Sequence, residues 1–257
     1  MTNQINWHEV PAAIWRARSA SLRPVRELDP VSLNDLLGIE RQKQLVVENT
    51  ERFLAGLPAN NALLWGARGT GKSSVIKALL NAYRERGLRV IQIDKDDLID
   101  LIEIVDDIRE QPFHFIVFCD DLSFDEGDSS YKALKSVLEG SIELPPKNVL
   151  IYATSNRRHL MPEYMQDNEH SQVKGTEIHH AEAIEEKISL SDRFGLWLSF
   201  YAINQDEYLR MVDQLFGEVT DSRALHAEAI RFALSKGGRS GRTAQQFYRM
   251  YSTRFTA

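Results

Sequence analysis

Residues 66–73 of the chain match the spacing Gly-x-x-x-x-Gly-Lys-Ser, which is typical of phosphate-binding loops. Glycines in such a loop let backbone N–H groups close around phosphate oxygens, and the N-terminus of a following helix adds partial positive charge. Lys72 is expected to reach the β and γ phosphates, and Ser73 to offer its hydroxyl to Mg²⁺. The spacing therefore predicts binding of a nucleoside triphosphate. The predicted contacts in this loop are Gly66, Ala67, Arg68, Gly69, Thr70, Gly71, Lys72, Ser73 and Ser74.

Two adjacent carboxylates, Asp120 and Asp121, follow an apolar run that is predicted to be a buried strand. A carboxylate delivered beside a phosphate loop can hold Mg²⁺ through the water shell of the ion, and we assign this task to Asp120. Asp121 is then placed to polarise an attacking water. Because aspartate is also common in turns and at helix N-termini, a purely structural role for Asp121 stays open.

Asn156 follows the next predicted strand, at residues 149–154. In a parallel sheet this strand should lie beside the strand that ends at Asp120, so the Asn156 amide should reach the same edge as the phosphate loop. At that edge it can hydrogen-bond both a water and a γ-phosphate. The alternative is an asparagine that only caps a turn.

The elements that must position these groups alternate between strands and helices. Short apolar runs predict the strands, and apolar residues at helical spacing predict the helices between them, which together indicate a mainly parallel sheet. Beyond residue 204 the pattern is helical only. The predicted strands are residues 61–65, 88–94, 113–119, 149–154 and 197–201. The predicted helices follow the phosphate loop as far as Gly87 and occupy residues 96–110, 131–139, 181–188, 206–216, 222–236 and 240–254.

This pattern divides the chain into an N-terminal extension (1–35), an α/β nucleotide-binding core (36–203) and a helical lid (204–257). The helix predicted at residues 96–110 should bury one apolar face, because its apolar residues recur at helical spacing while acids occupy the other face. That face consists of Leu98, Leu101, Ile102, Val105 and Ile108.

The composition is ordinary for a soluble globular protein of 257 residues, with a net charge of −6 and one cysteine, Cys119. The negative charge disfavours a broad grip on nucleic acid, which needs a basic surface. No stretch is apolar enough for a membrane span and no signal peptide is evident, so we expect a cytoplasmic protein with no membrane partner. The irregular spacing of the histidines between residues 157 and 189 argues against a metal site there. They are His159, His170, His179 and His180.

Several segments, in this order, resemble the motifs of AAA+ ATPases: the phosphate loop, Asp120-Asp121, residues 154–156 and residues 192–195, with a helical lid after them. The resemblance covers about residues 32–255. Residues 36–43, 65–74, 119–124 and 189–196 are also similar to a bacterial AAA+ family that is catalogued as a domain of unknown function.

The resemblance implies an α/β P-loop NTPase fold with a parallel five-stranded sheet of order 5-1-4-3-2 and a C-terminal helical lid. It also implies that ATP is the nucleotide, that Gly38 and Ile39 border the adenine, and that Arg193 reaches the γ-phosphate of a neighbouring subunit. Arg242 would be the arginine of the lid, with Arg239 as the alternative. Asp121 is one methylene shorter than the glutamate usual at this place, which leaves the rate of hydrolysis open.

These features predict an AAA+ ATPase that uses Mg²⁺, hydrolyses ATP to ADP and phosphate, forms a homo-oligomer and remodels a protein partner. Two alternatives remain. The first is a nucleic-acid-associated loader, and its support is a set of N-terminal residues able to contact phosphates and stack on bases. This set is Trp7, Trp15, Arg16, Arg18, Arg23 and Arg26. The second is a nucleotide-dependent switch that scarcely hydrolyses, which the short Asp121 side chain favours.

Overall fold

The computed structural model describes residues 5–124, 131–139, 144–157, 160, 190 and 192–255. The predicted helix at 181–188 and the histidines between residues 157 and 189 lie outside these ranges. The strands are β1 (Ala12–Arg16), β2 (Ser21–Pro24), β3 (Ala62–Gly66), β4 (Leu88–Ile93), β5 (His114–Cys119), β6 (Val149–Ser155) and β7 (Leu196–Phe200). The helices are α1 (Glu40–Leu54), α2 (Lys72–Tyr83), α3 (Leu101–Ile108), α4 (Tyr131–Glu139), α5 (Gln205–Phe216), α6 (Ser222–Ser235) and α7 (Gly241–Phe255).

The strands form one mixed, seven-stranded sheet in the order β2-β1-β4-β5-β6-β3-β7. The prediction of a five-stranded, wholly parallel sheet is therefore wrong, because β1 and β2 extend the sheet and pair with each other antiparallel. The extension arises from the apolar run at residues 10–15, which forms β1 and pairs in parallel with β4. Within the larger sheet, the five strands that the sequence predicts lie side by side and parallel, as β7-β3-β6-β5-β4.

Both faces of the sheet are covered, because side chains alternate between the faces along each strand. In β5, Phe115 and Val117 face a cluster that includes residues of α3 and α4. Ile116 and Phe118 face the opposite cluster, to which α1 and α2 contribute. The apolar strands are therefore buried on both sides, and their polar residues collect at the carboxyl edge.

The N-terminal segment is anchored to the core by its aromatic residues. The indole of Trp7 is buried and packs edge-on against Phe115, with 4.9 Å between ring centroids. The Trp15 indole N–H donates a hydrogen bond to Asp100 Oδ2 at 2.9 Å. The Arg89 guanidinium is also buried and donates to the Trp7 carbonyl oxygen at 2.6 Å. Both indoles therefore act as packing residues, which makes them unavailable for stacking on bases.

The segment predicted as a helix at residues 96–110 is instead a 3-10 turn over Lys95–Asp100 followed by α3. A 3-10 turn has three residues per turn, so it shifts the phase of the apolar face relative to a continuous α-helix. As a result Ile104 is buried and Ile102 is 40% exposed, although Ile102 was predicted to face the core.

The lid consists of α5, α6 and α7 and has an apolar core of its own, which includes Tyr208, Phe216 and Phe247. It begins with a reciprocal cap, in which the Asn204 side chain accepts from the Glu207 N–H and the Glu207 side chain accepts from the Asn204 N–H. This arrangement satisfies backbone donors at the start of α5 and fixes where the lid leaves the sheet. Over the described ranges, no helix has the length and apolar character needed to cross a membrane.

Candidate functional site

The phosphate loop connects β3 to α2 at the carboxyl edge of the sheet. Gly66, Gly69 and Gly71 all have positive φ angles, which disfavour other residues. Space adds a second constraint at Gly66, where a Cβ atom would lie 2.0 Å from the Phe200 carbonyl oxygen. The Ala67 N–H donates to the same oxygen at 3.0 Å. Strand β7 therefore fixes the first turn of the loop, and the glycines are required by the backbone.

Lys72 is buried and its ammonium points back into the loop. The Nζ atom donates to the carbonyl oxygens of Gly66 and Ala67, at 2.8 Å each, and to Asn156 Oδ1 at 3.3 Å. Burial lowers the pKa of Lys72 from its ordinary value, while the charges of Asp120 and Asp121 act to raise it. These three acceptor oxygens are all neutral. An anion, whose oxygens are stronger acceptors, can therefore displace them and bind the ammonium.

The two carboxylates lie beside the phosphate loop: Asp120 contacts it directly, and Asp121 is linked to it through Asn156. Ser73 Oγ donates to Asp120 Oδ1 at 2.7 Å, so the predicted Mg²⁺ pair is already adjacent. Asp121 has a φ angle of 55°, a left-handed conformation that aspartate tolerates better than most residues. The Asn156 amide Nδ2 donates to Asp121 Oδ1, as the parallel pairing of β5 and β6 requires. Lys72, Asn156 and Asp121 thus form one chain of hydrogen bonds.

Hydroxyl and carboxylate oxygens are the ligands that Mg²⁺ prefers, and Ser73 with Asp120 supplies one of each beside the phosphate loop. The magnesium ion usually keeps several water ligands and completes its shell with phosphate oxygens, so two protein groups suffice. Among the residues that the structure describes, no group of three or more His, Cys, Asp and Glu side chains is arranged to hold a metal by itself. The residues present fit a cation that arrives with a nucleotide.

The residues predicted to border the adenine lie between the phosphate loop and the lid. Ile39 is buried, and a Cβ atom at Gly71 would lie 3.3 Å from its Cδ1. Gly38 has a φ of 75°, and a Cβ there would lie 3.6 Å from both Ile203 Cγ2 and Glu207 Cδ. The remaining predicted loop residues differ in burial: Thr70 is buried and bonds the Ala67 carbonyl at 2.8 Å, Arg68 is exposed and Ser74 is partly buried.

Helix α7 of the lid begins at the phosphate loop. A Cβ atom at Gly69 would lie 2.9 Å from Ser240 Oγ and 3.3 Å from the Cβ of Arg242. Ser240 also caps α7, because its Oγ accepts from the Thr243 N–H at 3.1 Å. Arg242 is close enough that its charge acts to lower the pKa of Lys72. Of the two lid arginines considered from the sequence, Arg242 therefore has direct structural links to the phosphate loop.

Arg193 precedes β7, and its guanidinium is paired with the carboxylate of Glu139 at the end of α4. The Arg193 side chain is 20% exposed and that of Glu139 is 39% exposed. The structure thus places this predicted site residue in an ion pair within its own subunit. Its predicted role toward a second subunit stays a prediction.

Two residues received no individual role from the sequence. Glu139 is the last residue of α4, and nothing in its spacing marks it as the partner of Arg193. Thr154 was noted only as part of a three-residue segment, yet its buried hydroxyl bonds both Asp120 and the Asp121 backbone. The only available signal was its position two residues before Asn156 in a strand, because alternate residues share a face.

The comparison with solved structures finds the same fold. A variant of the RuvB protein of Thermotoga maritima superposes with a TM-score of 0.52 and 12% identity, over 87% of this chain and 73% of that chain. A second variant of that protein gives a TM-score of 0.50 and 13% identity, over 85% and 71%. RuvB is an AAA+ ATPase, so the likeness shows an α/β P-loop fold of the AAA+ type.

Sequence comparison identifies the family. The curated protein sequences contain no match to this chain. A family model described as "Protein of unknown function (DUF815)" matches residues 8–255, which is nearly the whole length. This match agrees with the prediction of an AAA+ family of unknown function. The chain therefore belongs to the DUF815 family.

Proposed function

We propose that this protein binds ATP with Mg²⁺ and hydrolyses it to ADP and phosphate, and that it uses the cycle to remodel a protein partner. The observation that carries the proposal is the joined set of Lys72, Ser73, Asp120, Asp121 and Asn156 at one edge of the sheet. These are the groups needed to hold a triphosphate, a cation and a water at the same place. The AAA+ fold and the lid helix at Gly69 support it further.

Binding uses groups that are already in position. Backbone N–H groups of the loop and the N-terminus of α2 hold the phosphates, and Lys72 moves its hydrogen bonds from loop carbonyls to phosphate oxygens. Ser73 and Asp120 hold the magnesium ion, which neutralises phosphate charge when it is bound. Ile39 and Gly38 flank the base beneath the lid.

Hydrolysis begins with water held by Asp121 and Asn156. Asp121 accepts a proton from this water while the water oxygen attacks the γ-phosphorus. The bond from the γ-phosphorus to the bridging oxygen breaks, and ADP leaves with the electron pair. Lys72 and Arg242 stabilise the charge on the transferring group, and Arg193 of an adjoining subunit in a homo-oligomer completes the site.

The alternative of a nucleic-acid loader has less support than the sequence suggests. Trp7 and Trp15 are packed in the core, so only the exposed arginines near β1 and β2 remain as contacts for phosphates. Without stacking residues, such contacts give binding that weakens steeply as salt rises. Salt-sensitive binding to single-stranded DNA would support the loader, and undetectable binding favours the protein partner.

The proposal is tested by separating binding from chemistry at Asp121. Asp121→Asn removes the proton acceptor but keeps the size of the side chain, so ATP affinity should stay within a few fold while kcat falls about a hundredfold. Calorimetry measures the affinity and phosphate release measures kcat. Asp107→Asn, on the exposed face of α3, is the matched control and should change neither.

Other outcomes have distinct meanings. If Asp120→Asn abolishes turnover and Asp121→Asn leaves it intact, the order of the two acids is wrong. If the unaltered protein binds ATP tightly and releases no phosphate, the protein is a nucleotide-dependent switch.

A further inference from the structure

Thr154 is a buried residue of β6, the strand that lies between the phosphate-loop strand β3 and the acid-bearing strand β5. It pairs with Leu64 on β3, two residues before Gly66. On its other side, the register of β6 against β5 pairs Ala153 with Cys119, so Thr154 stands next to Asp120. Its exposed fraction is 1%. Among the seven strands of the described ranges, β6 alone has both the loop strand and the acid strand as neighbours.

The Thr154 hydroxyl is hydrogen-bonded to both acids. It donates to Asp120 Oδ1 and accepts from the Asp121 backbone N–H at 2.9 Å. The Thr154 carbonyl oxygen accepts from the N–H of Leu122, the residue after Asp121, at 2.7 Å. The peptide groups on both sides of Asp121 are therefore bonded to this one residue.

The Asp121 backbone needs such support because its φ of 55° lies in the left-handed region, which costs a non-glycine residue free energy. The side chain of Asp121 leaves the backbone from this conformation to meet Asn156. If the backbone relaxed to a common conformation, the carboxylate would point elsewhere. A misplacement of about 1 Å in a catalytic group costs about a hundredfold in rate.

We propose that Thr154 is a positioning residue for hydrolysis, which aims the Asp121 carboxylate through its backbone and orients Asp120 through its side chain. This inference rests on the proposed ATPase function. Thr154 touches neither nucleotide nor water in this role. Its loss should therefore lower kcat and leave ATP affinity nearly unchanged.

The test replaces the hydroxyl without changing the shape of the side chain. Thr154→Val should keep the ATP dissociation constant within about threefold and lower kcat by about ten- to a hundredfold, since a buried N–H and a carboxylate oxygen each lose a partner. Thr154→Ser keeps the hydroxyl and should hold kcat within about threefold of the unaltered protein. If the valine variant is insoluble, Thr154→Ala carries the same expectation.

Thr50→Val is the control for a general loss of stability. Thr50 is fully buried, and its hydroxyl bonds the Val46 carbonyl and the Tyr152 hydroxyl. Tyr152 lies on the same face of the sheet as Thr154, but it pairs with Ala62 at the start of β3, at the end of that strand away from the phosphate loop. Thr50→Val should lower the melting temperature and leave kcat unchanged. The proposal is overturned if Thr154→Val keeps normal kcat, if Thr154→Ser falls as far as the valine variant, or if Thr50→Val loses kcat equally.

Hydrogen exchange separates this inference from the proposed function. The amides of residues 120–122 should exchange faster in Thr154→Val than in Thr154→Ser, because the bond to the Asp121 N–H is lost. If the unaltered protein hydrolyses no ATP, the ATPase proposal fails, and faster exchange in the valine variant still supports the positioning of Asp121. Equal exchange in both variants overturns it.

Discussion

The sequence leads us to expect that Lys72 and Arg193 both face the γ-phosphate, but the structure gives their cationic groups different kinds of partner. The partners of the Lys72 ammonium are neutral: two loop carbonyls and the Asn156 amide oxygen. The Arg193 guanidinium, in contrast, is paired with the carboxylate of Glu139. Phosphate oxygens displace neutral acceptors readily, whereas a carboxylate competes with them for the cation. We infer that the ATP site is prepared by Lys72 within one subunit, and that Arg193, in its proposed role, must first be released from Glu139.

The largest expected effect concerns hydrolysis without Arg193. Arg193→Ala should bind ATP almost normally and hydrolyse it about a thousandfold more slowly, because an arginine supplied by a neighbour stabilises only the transferring phosphoryl group. Mixing Arg193→Ala with Lys72→Ala should restore part of the activity. One interface then combines the intact loop of the first protein with the intact arginine of the second.

A second mixture controls this experiment. Lys72→Ala and Asp121→Asn both damage the nucleotide side of the interface, so mixing them should restore nothing. If the first mixture also stays inactive and light scattering shows monomers in saturating ATP, Arg193 is a structural residue. The difference between its charged partner and the neutral partners of Lys72 then has no bearing on hydrolysis.

The next effect concerns binding itself. Lys72→Ala should weaken ATP affinity by about a hundredfold, since it removes a charged donor from the phosphate site. Lys77→Ala is the matched control on the same helix, where the Lys77 ammonium is paired with Asp29 at 2.9 Å on the surface. Calorimetry should find normal affinity in the control. Equal affinities for all three proteins would show that the loop does not bind the nucleotide through Lys72.

A smaller effect is expected when the ion pair between Arg193 and Glu139 is weakened. Glu139→Gln removes the charge that competes for Arg193, and partly exposed ion pairs contribute about 1 kcal/mol or less, so hydrolysis should rise by up to about fivefold at subsaturating protein concentration. ATP affinity should not change. Glu103→Gln, on the exposed face of α3, serves as the control. A fall in hydrolysis in Glu139→Gln alone would mean that Glu139 holds Arg193 in its working position.

The central part of this protein follows from local patterns in its sequence. The spacing at residues 66–73 requires a strand, a glycine-rich turn and a helix, and these form as β3 and α2. The apolar runs predict the five central strands, whose parallel pairing brings Asp121 to Asn156. These features depend on backbone geometry and local periodicity, which are written in consecutive residues. The roles of the site residues stay predictions.

Other features of the fold and the site depend on contacts between residues far apart in the chain, so they appear only in the folded structure. Thr154 is bonded to an acid 34 positions away and Arg193 to one 54 positions away. Strands β1 and β2 join the sheet because β4 offers an edge for β1 to pair with, and the apolar run at residues 10–15 does not by itself reveal this partner. Burial of Trp7 and Trp15 follows from that pairing. A sequence specifies which groups are present, and the sheet decides which of them meet.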